Sequence, residues 1–377
     1  MIEKRKLILD VGHGKSGQPK YAQLHNFLAK QVTSGELKPG DKLPSEHYLV
    51  KTLGFARTTI RQALAGLENE GLIRRIQGKG TFVEIDAMRK LQRGQDIFAL
   101  IVPETRGGFY PSLLYGFEAA ASQVRHQTIV CSTENQVGRQ ADIVLQLIDR
   151  EVGGIALVPT SRPLTPGHQV RQLQKEGVPI VFCHRRVEGI TAPLLAIPFR
   201  KAGRLAGKTL AELGHRRIAF FTTHASRVTP DWLDGLRDGL RAGGGDRPAE
   251  LVCVGESHLV DEGAVLAALQ QLFARAEPPT AIFTSFDTIA ETIYFMLPRL
   301  GLKSPDDVSL MGFGGAWRSG ILTKRLNSVV IDEIGTGRQA VELLHEMRRG
   351  DRPLEDNTEI VLKIEISEGE TLAAPKN

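Results

Sequence analysis

Cysteine is scarce in this chain, with three in 377 residues, at Cys131, Cys183 and Cys253. They are odd in number, far apart and in no Cys-x-x-Cys or Cys/His metal spacing. That pattern excludes a disulfide framework or a structural zinc site as the organising feature. Reduced core thiols in a cytoplasmic protein are the expectation. Long apolar runs are missing as well: no stretch approaches the roughly 18 residues of a membrane span. Over Met1 to Gly17, Ile8 and Leu9 are followed by Asp10, where a secretory leader needs an unbroken apolar core. No membrane partner is expected.

Catalytic signatures are also lacking. There is no Gly-x-Ser-x-Gly elbow, no His-Glu-x-x-His and no complete dinucleotide fingerprint. Gly312-Phe313-Gly314-Gly315 ends a strand without the third glycine. Gly14-Lys15-Ser16 suggests a phosphate loop, but that loop needs a glycine five positions before Gly14, and Leu9 stands there. His215, in a Gly-His-Arg-Arg turn, is read as structural. Neither enzyme activity nor a cofactor or metal is expected.

What the chain does have is an uneven charge. Its formal net charge is +5, yet residues 1–94 carry 17 lysines and arginines against 9 acidic residues, leaving the remainder slightly acidic. A basic first quarter on an acidic body suggests an anionic polymer as partner for the first part alone.

Residues 1–17 form a basic tail, and a first domain is expected over 18–85. Tyr21, Leu24, Phe27, Leu28 and Val32 recur at helical spacing, and Gly35 marks a stop. Pro44 disfavours helix at Leu43, and Ser45 is a good N-cap for a second helix that buries Leu49, Val50 and Leu53 and ends at Gly54. A third helix runs from about Arg57 to Glu70, with Ile60, Ala63, Leu64 and Leu67 inward. Ile73, Ile76, Phe82 and Val83 belong to two strands joined around Gly78-Lys79-Gly80. Three helices and a two-stranded wing make a winged helix-turn-helix. A helix of this kind fits the major groove, with N–H groups and a positive dipole at its start. Arg57 and Arg61, four apart, share a face.

This stretch resembles the DNA-binding domain of the GntR family of bacterial regulators. The resemblance rests on Pro39-Gly40-Asp41-Lys42-Leu43-Pro44-Ser45-Glu46, Arg57-Thr58-Thr59-Ile60-Arg61, Glu70-Gly71-Leu72-Ile73 and Gln77-Gly78-Lys79-Gly80-Thr81-Phe82-Val83. It implies DNA contacts by Ser45, His47, Arg57, Thr58, Thr59, Arg61, Gln77, Gly78 and Lys79. Two departures stand out. His47 replaces a common Arg, and a free histidine is mostly neutral near pH 7, so this contact is expected to be weaker or pH-sensitive. Ala56 replaces a Ser/Thr cap, a loss of about 1 kcal/mol.

A basic linker at 86–95 leads into alternating strands and amphipathic helices over 96–377, the mark of buried parallel sheets. The strand–helix pattern restarts after about residue 200, so two lobes with a cleft at the strand ends are expected. This body resembles the effector-binding part of LacI/GalR regulators, itself similar to periplasmic sugar-binding proteins. Leu213-Gly214-His215-Arg216-Arg217-Ile218-Ala219, Trp232 to Leu240, Pro279 to Phe283 and Gly301 to Phe313 carry the likeness. It implies a first lobe of about 96–197 and 328–349, and a second of about 198–327 and 350–370, with Thr358 to Ile366 in the second.

The cleft departs from that pattern. Phe286, Gly314 and Trp232 stand where the family has polar groups, with Asp287 kept. Phe109, Tyr110, Arg185, Trp232, Phe286, Asp287 and Trp317 are the candidate ligand contacts. The fold class is thus α/β: an N-terminal winged helix-turn-helix plus a two-lobed periplasmic-binding-protein-like domain with parallel sheets. The expected function is a homodimeric repressor that binds a double-stranded DNA operator under control of a small-molecule effector, a sugar or related metabolite. The alternative is a regulator that binds a metabolite or a protein partner in its cleft and has no small-molecule effector.

Overall fold

The computed structural model describes residues 19–33, 36–84, 96–105, 108, 110–245, 249–255, 260–315 and 323–376. The tail, Gly35, the linker, Phe109 and Trp317 lie outside them. The chain divides into two compact units, 1–94 and 95–377.

In the first unit, α1 is Lys20–Thr33, α2 Glu46–Leu53 and α3 Arg57–Asn69. The start of α2 is fixed by Ser45, whose Oγ accepts from the Tyr48 N–H, and its end by Gly54 in the left-handed region at φ 65°. By contrast, α3 begins after Ala56 with no side-chain cap. Leu24, Leu28, Leu49, Ile60, Leu64 and Leu67 close a core in which each is at most 1% exposed. Strands β1 (Ile73–Ile76) and β2 (Gly80–Val83) pair antiparallel. Gly78, at φ 75°, lets the turn between them close with Lys79 N–H donating to Ile76 O. Lys42 bridges to Phe82, so the Pro-Gly-Asp-Lys-Leu segment forms a third edge of the wing.

The second unit contains two six-stranded sheets. The first lobe has β3 (Ile97–Val102), α4 (Tyr110–Gln123), β4 (Gln127–Ser132), α5 (Val137–Asp149), β5 (Gly154–Leu157), α6 (Gly167–Lys175), β6 (Ile180–His184) and β7 (Leu194–Ala196). The second has α7 (Phe199–Glu212), β8 (Ile218–Thr222), α8 (Thr229–Ala242), β9 (Glu250–Cys253), α9 (Glu262–Phe273), β10 (Ala281–Thr284), α10 (Asp287–Met296), β11 (Ser309–Gly314) and β12 (Asn327–Ile331). Then come α11 (Glu333–Arg349), β13 (Glu359–Val361) and β14 (Ile364–Ile366).

The order β4-β3-β5-β6-β7-β13 is parallel throughout. In β9-β8-β10-β11-β12-β14 only β14 runs antiparallel. Phe98, Phe182, Phe220 and Phe283 are fully buried, as parallel strands covered on both faces require.

The late crossings differ from the sequence expectation. Ser328 to Ile331 lies in the second lobe's sheet beside β11, and only the helix from Glu333 joins the first lobe, against α4, β5 and β6. Thr358 to Ile366 is split: β13 pairs with β7 in the first sheet and β14 with β12 in the second. Three-residue strands carry no periodicity that assigns them to a sheet. The chain thus passes between lobes near Pro198, Asp332 and Lys363.

Glycines set one contact in particular. A Cβ on Gly203 or Gly207 of α7 would stand 2.4 or 2.5 Å from the Trp232 or Leu236 carbonyl oxygen of α8. On Gly235 or Gly239 it would stand 2.1 or 2.2 Å from the Arg200 or Arg204 oxygen. The two helices therefore touch backbone to backbone, which fixes where α8 carries Trp232.

Candidate functional site

In the first unit most of the predicted residues are exposed. Arg57, Thr58 and Arg61 are exposed on the first turns of α3, Thr59 is half-buried, and Gln77, Gly78 and Lys79 are exposed at the wing tip. His47 is exposed in the first turn of α2. Ser45 is exposed but its hydroxyl is already the cap of α2.

Glu46, which sequence reasoning left without a role, stands between α3 and β1. Its carboxylate lies 3.1 Å from Arg61 Nε, 3.6 Å from Arg57 Nε and 3.9 Å from an Arg75 amino nitrogen. Arg75 is also held by Glu68 at 3.2 Å. One carboxylate on α2 therefore spaces cations from α3 and from the wing. No sequence periodicity links residues 46, 61 and 75, so only the fold reveals the group.

In the second unit the cleft lies at the carboxyl ends of the strands of both lobes, where open α/β sheets bind ligands. Its volume is about 90 Å³, room for several waters or a small polar molecule. The first lobe supplies Glu104 after β3, Tyr110 at the start of α4, Asn135 after β4, and His184 and Arg185 at the end of β6. The second supplies Thr222, Thr223 and His224 at and after the end of β8, Trp232 on α8, and Ser285 and Phe286 after β10.

Tyr110, Arg185, Trp232 and Phe286 thus line one cavity. Arg185 donates from Nε to Pro159 O at 2.8 Å and also donates to the Tyr110 hydroxyl. Burial pushes the Tyr110 hydroxyl up to about 12; the Arg185 charge opposes this, and Glu333 and Glu104 add to it. Tyr110 therefore remains a protonated phenol across the physiological range. Trp232 is 3% exposed, edge-on to Phe313 at 4.7 Å and to Phe199 at 5.4 Å, so it forms an aromatic floor.

Asp287 is placed differently. Its carboxylate accepts from Gly315 N–H at 2.7 Å and Ser328 Oγ at 2.6 Å, and it does not line the cavity. It ties the ends of β10, β11 and β12 instead. His215 is likewise internal, bonded to Thr280, Ser309 and the Ala373 carbonyl. The polar groups that sequence reasoning did not single out (Glu104, Asn135, Thr222, Thr223, His224 and Ser285) sit at or just past strand ends. That position was the available signal.

Comparison with known proteins gives the same two-part division. Residues 20–83 match the model of bacterial regulatory proteins of the gntR family, and residues 208–372 that of the periplasmic binding protein-like domain. Over 341 residues, covering 87% of this chain and 91% of the relative, the chain is 28% identical to the arabinose metabolism transcriptional repressor of Geobacillus stearothermophilus. It is 26% identical over 266 residues to the ribose operon repressor of Haemophilus influenzae, covering 70% of this chain and 77% of that one. A LacI family transcriptional regulator from Enterococcus faecium, solved with bound ribose, is similar in fold. Its TM-score is 0.64 at 18% identity, covering 74% of this chain and 100% of that one. Among the described residues no helix is long and apolar enough to cross a membrane.

Proposed function

We propose that this chain, which joins a gntR-family winged helix-turn-helix to a periplasmic-binding-protein-like sensor, is a transcription repressor released from or retained on its operator by a small polyhydroxylated molecule. The observation that carries the reading is the pairing of two sites in one chain. An exposed basic helix start with a glycine-tipped wing suits a DNA duplex. A cleft of hydroxyls, amide and aromatic floor suits a sugar. The DNA contacts fall to Arg57, Thr58, Thr59, Arg61, Gln77, Gly78 and Lys79, with His47 beside them. Two copies bound to a two-fold related site is the arrangement such a domain favours.

The charge of the cleft narrows the effector. Among the described residues its wall sets one arginine, Arg185, against one carboxylate, Glu104. A phosphorylated or acidic sugar needs surplus donors, so a neutral polyol is the better match. The names of the relatives point to pentoses, and arabinose and ribose are the first candidates. No catalytic role is proposed.

The test is selection of genomic fragments on the purified protein, followed by mobility shift against the selected fragment at several salt concentrations. A specific complex whose affinity falls steeply with salt supports the reading. Binding that is equal for all fragments contradicts it.

A further inference from the structure

At the cleft wall His184 meets a buried carboxylate, Glu333, a pairing that the effector reading does not use. His184 closes β6 in the left-handed region at φ 70°, a conformation that costs any non-glycine residue and is kept only where surroundings impose it. Its Nε2 lies 3.0 and 3.1 Å from the two oxygens of Glu333, 149 residues away, and both side chains are 2% exposed. One oxygen takes the hydrogen bond; the other, Oε1, is buried near the ring without the geometry of one.

Glu333 occupies a special place. Ile331, two residues earlier, pairs with Ile364 in the second lobe's sheet. Asp332 caps α11 by accepting from Gly335 N–H at 2.8 Å, and α11 packs on the first lobe. Glu333 is therefore the first residue past a crossing between lobes. The start of α11 has no slack against α4, because a Cβ on Gly116 would stand 2.1 Å from Ile334 O and one on Gly337 2.4 Å from Leu113 O. On the cleft side, the His184 ring lies 6.0 Å from that of Tyr110, the first residue of α4. Cleft wall, α4, α11 and the crossing thus form one closed circuit joined at His184–Glu333.

We infer that Glu333 and His184 are positioning residues that couple the cleft to the angle between the lobes. A buried carboxylate–imidazole hydrogen bond is a weak source of stability but a steep function of geometry, which suits it to selecting one arrangement over another. The second, unfilled acceptor of Glu333 gives the pair an alternative bonding pattern when the lobes move. Occupancy against His184 then biases one lobe angle, and the DNA-binding state follows. This rests on the effector reading for the ligand, but not for the unliganded geometry.

The experiment uses the full chain, with spin labels introduced through non-canonical amino acids at Leu145 on α5 and Phe295 on α10, both 45% exposed. Distance distributions are recorded without ligand, with L-arabinose and with D-ribose, for wild type, Glu333→Gln, His184→Gln and the double variant. Each single variant is expected to shift or broaden the unliganded distribution. The double variant, able to form an amide–amide bond, should move back toward wild type. Any pentose effect on DNA affinity should fall about tenfold in the single variants, within the usual range of allosteric coupling. Single variants that melt earlier yet keep the wild-type distribution would make the pair merely structural and overturn the inference. A wild type that ignores both pentoses counts against the pentose assignment, and the unliganded distributions still decide on the pair.

Discussion

Arg61 Nε lies 3.1 Å from Glu46 Oε2, so this exposed arginine of α3 is held by a carboxylate on the preceding helix. The same carboxylate reaches Arg57 and Arg75. Glu46 is therefore set to space three cations rather than to repel DNA. Glu46→Gln, which keeps the shape and removes the charge, should loosen that spacing. Competition binding against operator and scrambled DNA should show the specificity ratio dropping while non-specific affinity holds or rises. An unchanged ratio would leave Glu46 without this role.

Arg57 and Arg61 should differ from Lys79 in kind. Arg57→Ala or Arg61→Ala is expected to weaken operator binding by about 1–3 kcal/mol if the side chain reads a base edge. Lys79→Ala should weaken all sequences alike and lower the slope of log affinity against log salt by about one. Anisotropy titrations over a salt series separate the two behaviours.

Much of this was legible in the sequence, and the exceptions share a cause. Ile60, Ala63, Leu64 and Leu67 declare α3 by spacing, and all are at most 1% exposed. The long parallel strands declare themselves as apolar runs. Leu194–Ala196 and Glu359–Val361 do not, because three residues define neither a period nor a sheet. Asp287 is a candidate ligand contact by its match to the LacI/GalR pattern, and the fold shows its carboxylate accepting from Gly315 and Ser328 instead. Glu46 with Arg61, and His184 with Glu333, are partners far apart in the chain, invisible to any local pattern.

The α7–α8 contact should tolerate no methyl group. Gly207→Ala and Gly239→Ala each place a Cβ within about 2.5 Å of a backbone oxygen that cannot rotate away. Overpacking of this sort costs about 1–3 kcal/mol. Denaturant unfolding of the sensor should show the loss, whereas Gly138→Ala on α5, whose Cβ would meet nothing within 4 Å, should be neutral or better.

Acid should destabilise the second unit. Burial holds His215 and His126 below the ordinary 6.5; Arg216 pushes His215 the same way, and Arg348 and His345 so push His126. The Ala373 and Val124 carbonyls, and Asp96 beside His126, only partly offset this. A depressed folded value means that the unfolded chain binds more protons, so stability rises with pH. It should be full above about 6.5 and decline as pH falls below that. Melting temperatures of the full chain between pH 8 and 5 check the sign, and His126→Gln should flatten part of the slope.

The central claim, that a neutral polyol in the cleft governs DNA binding by the winged helix, is tested most directly by titrating the protein–operator complex with L-arabinose and D-ribose while following anisotropy of the labelled DNA. Wild type is predicted to change its operator affinity with at least one pentose. Glu104→Gln should bind the operator normally and lose the response, and Arg57→Ala should bind the operator more weakly while still binding the sugar. An operator affinity that neither pentose nor any other neutral polyol moves would contradict the account.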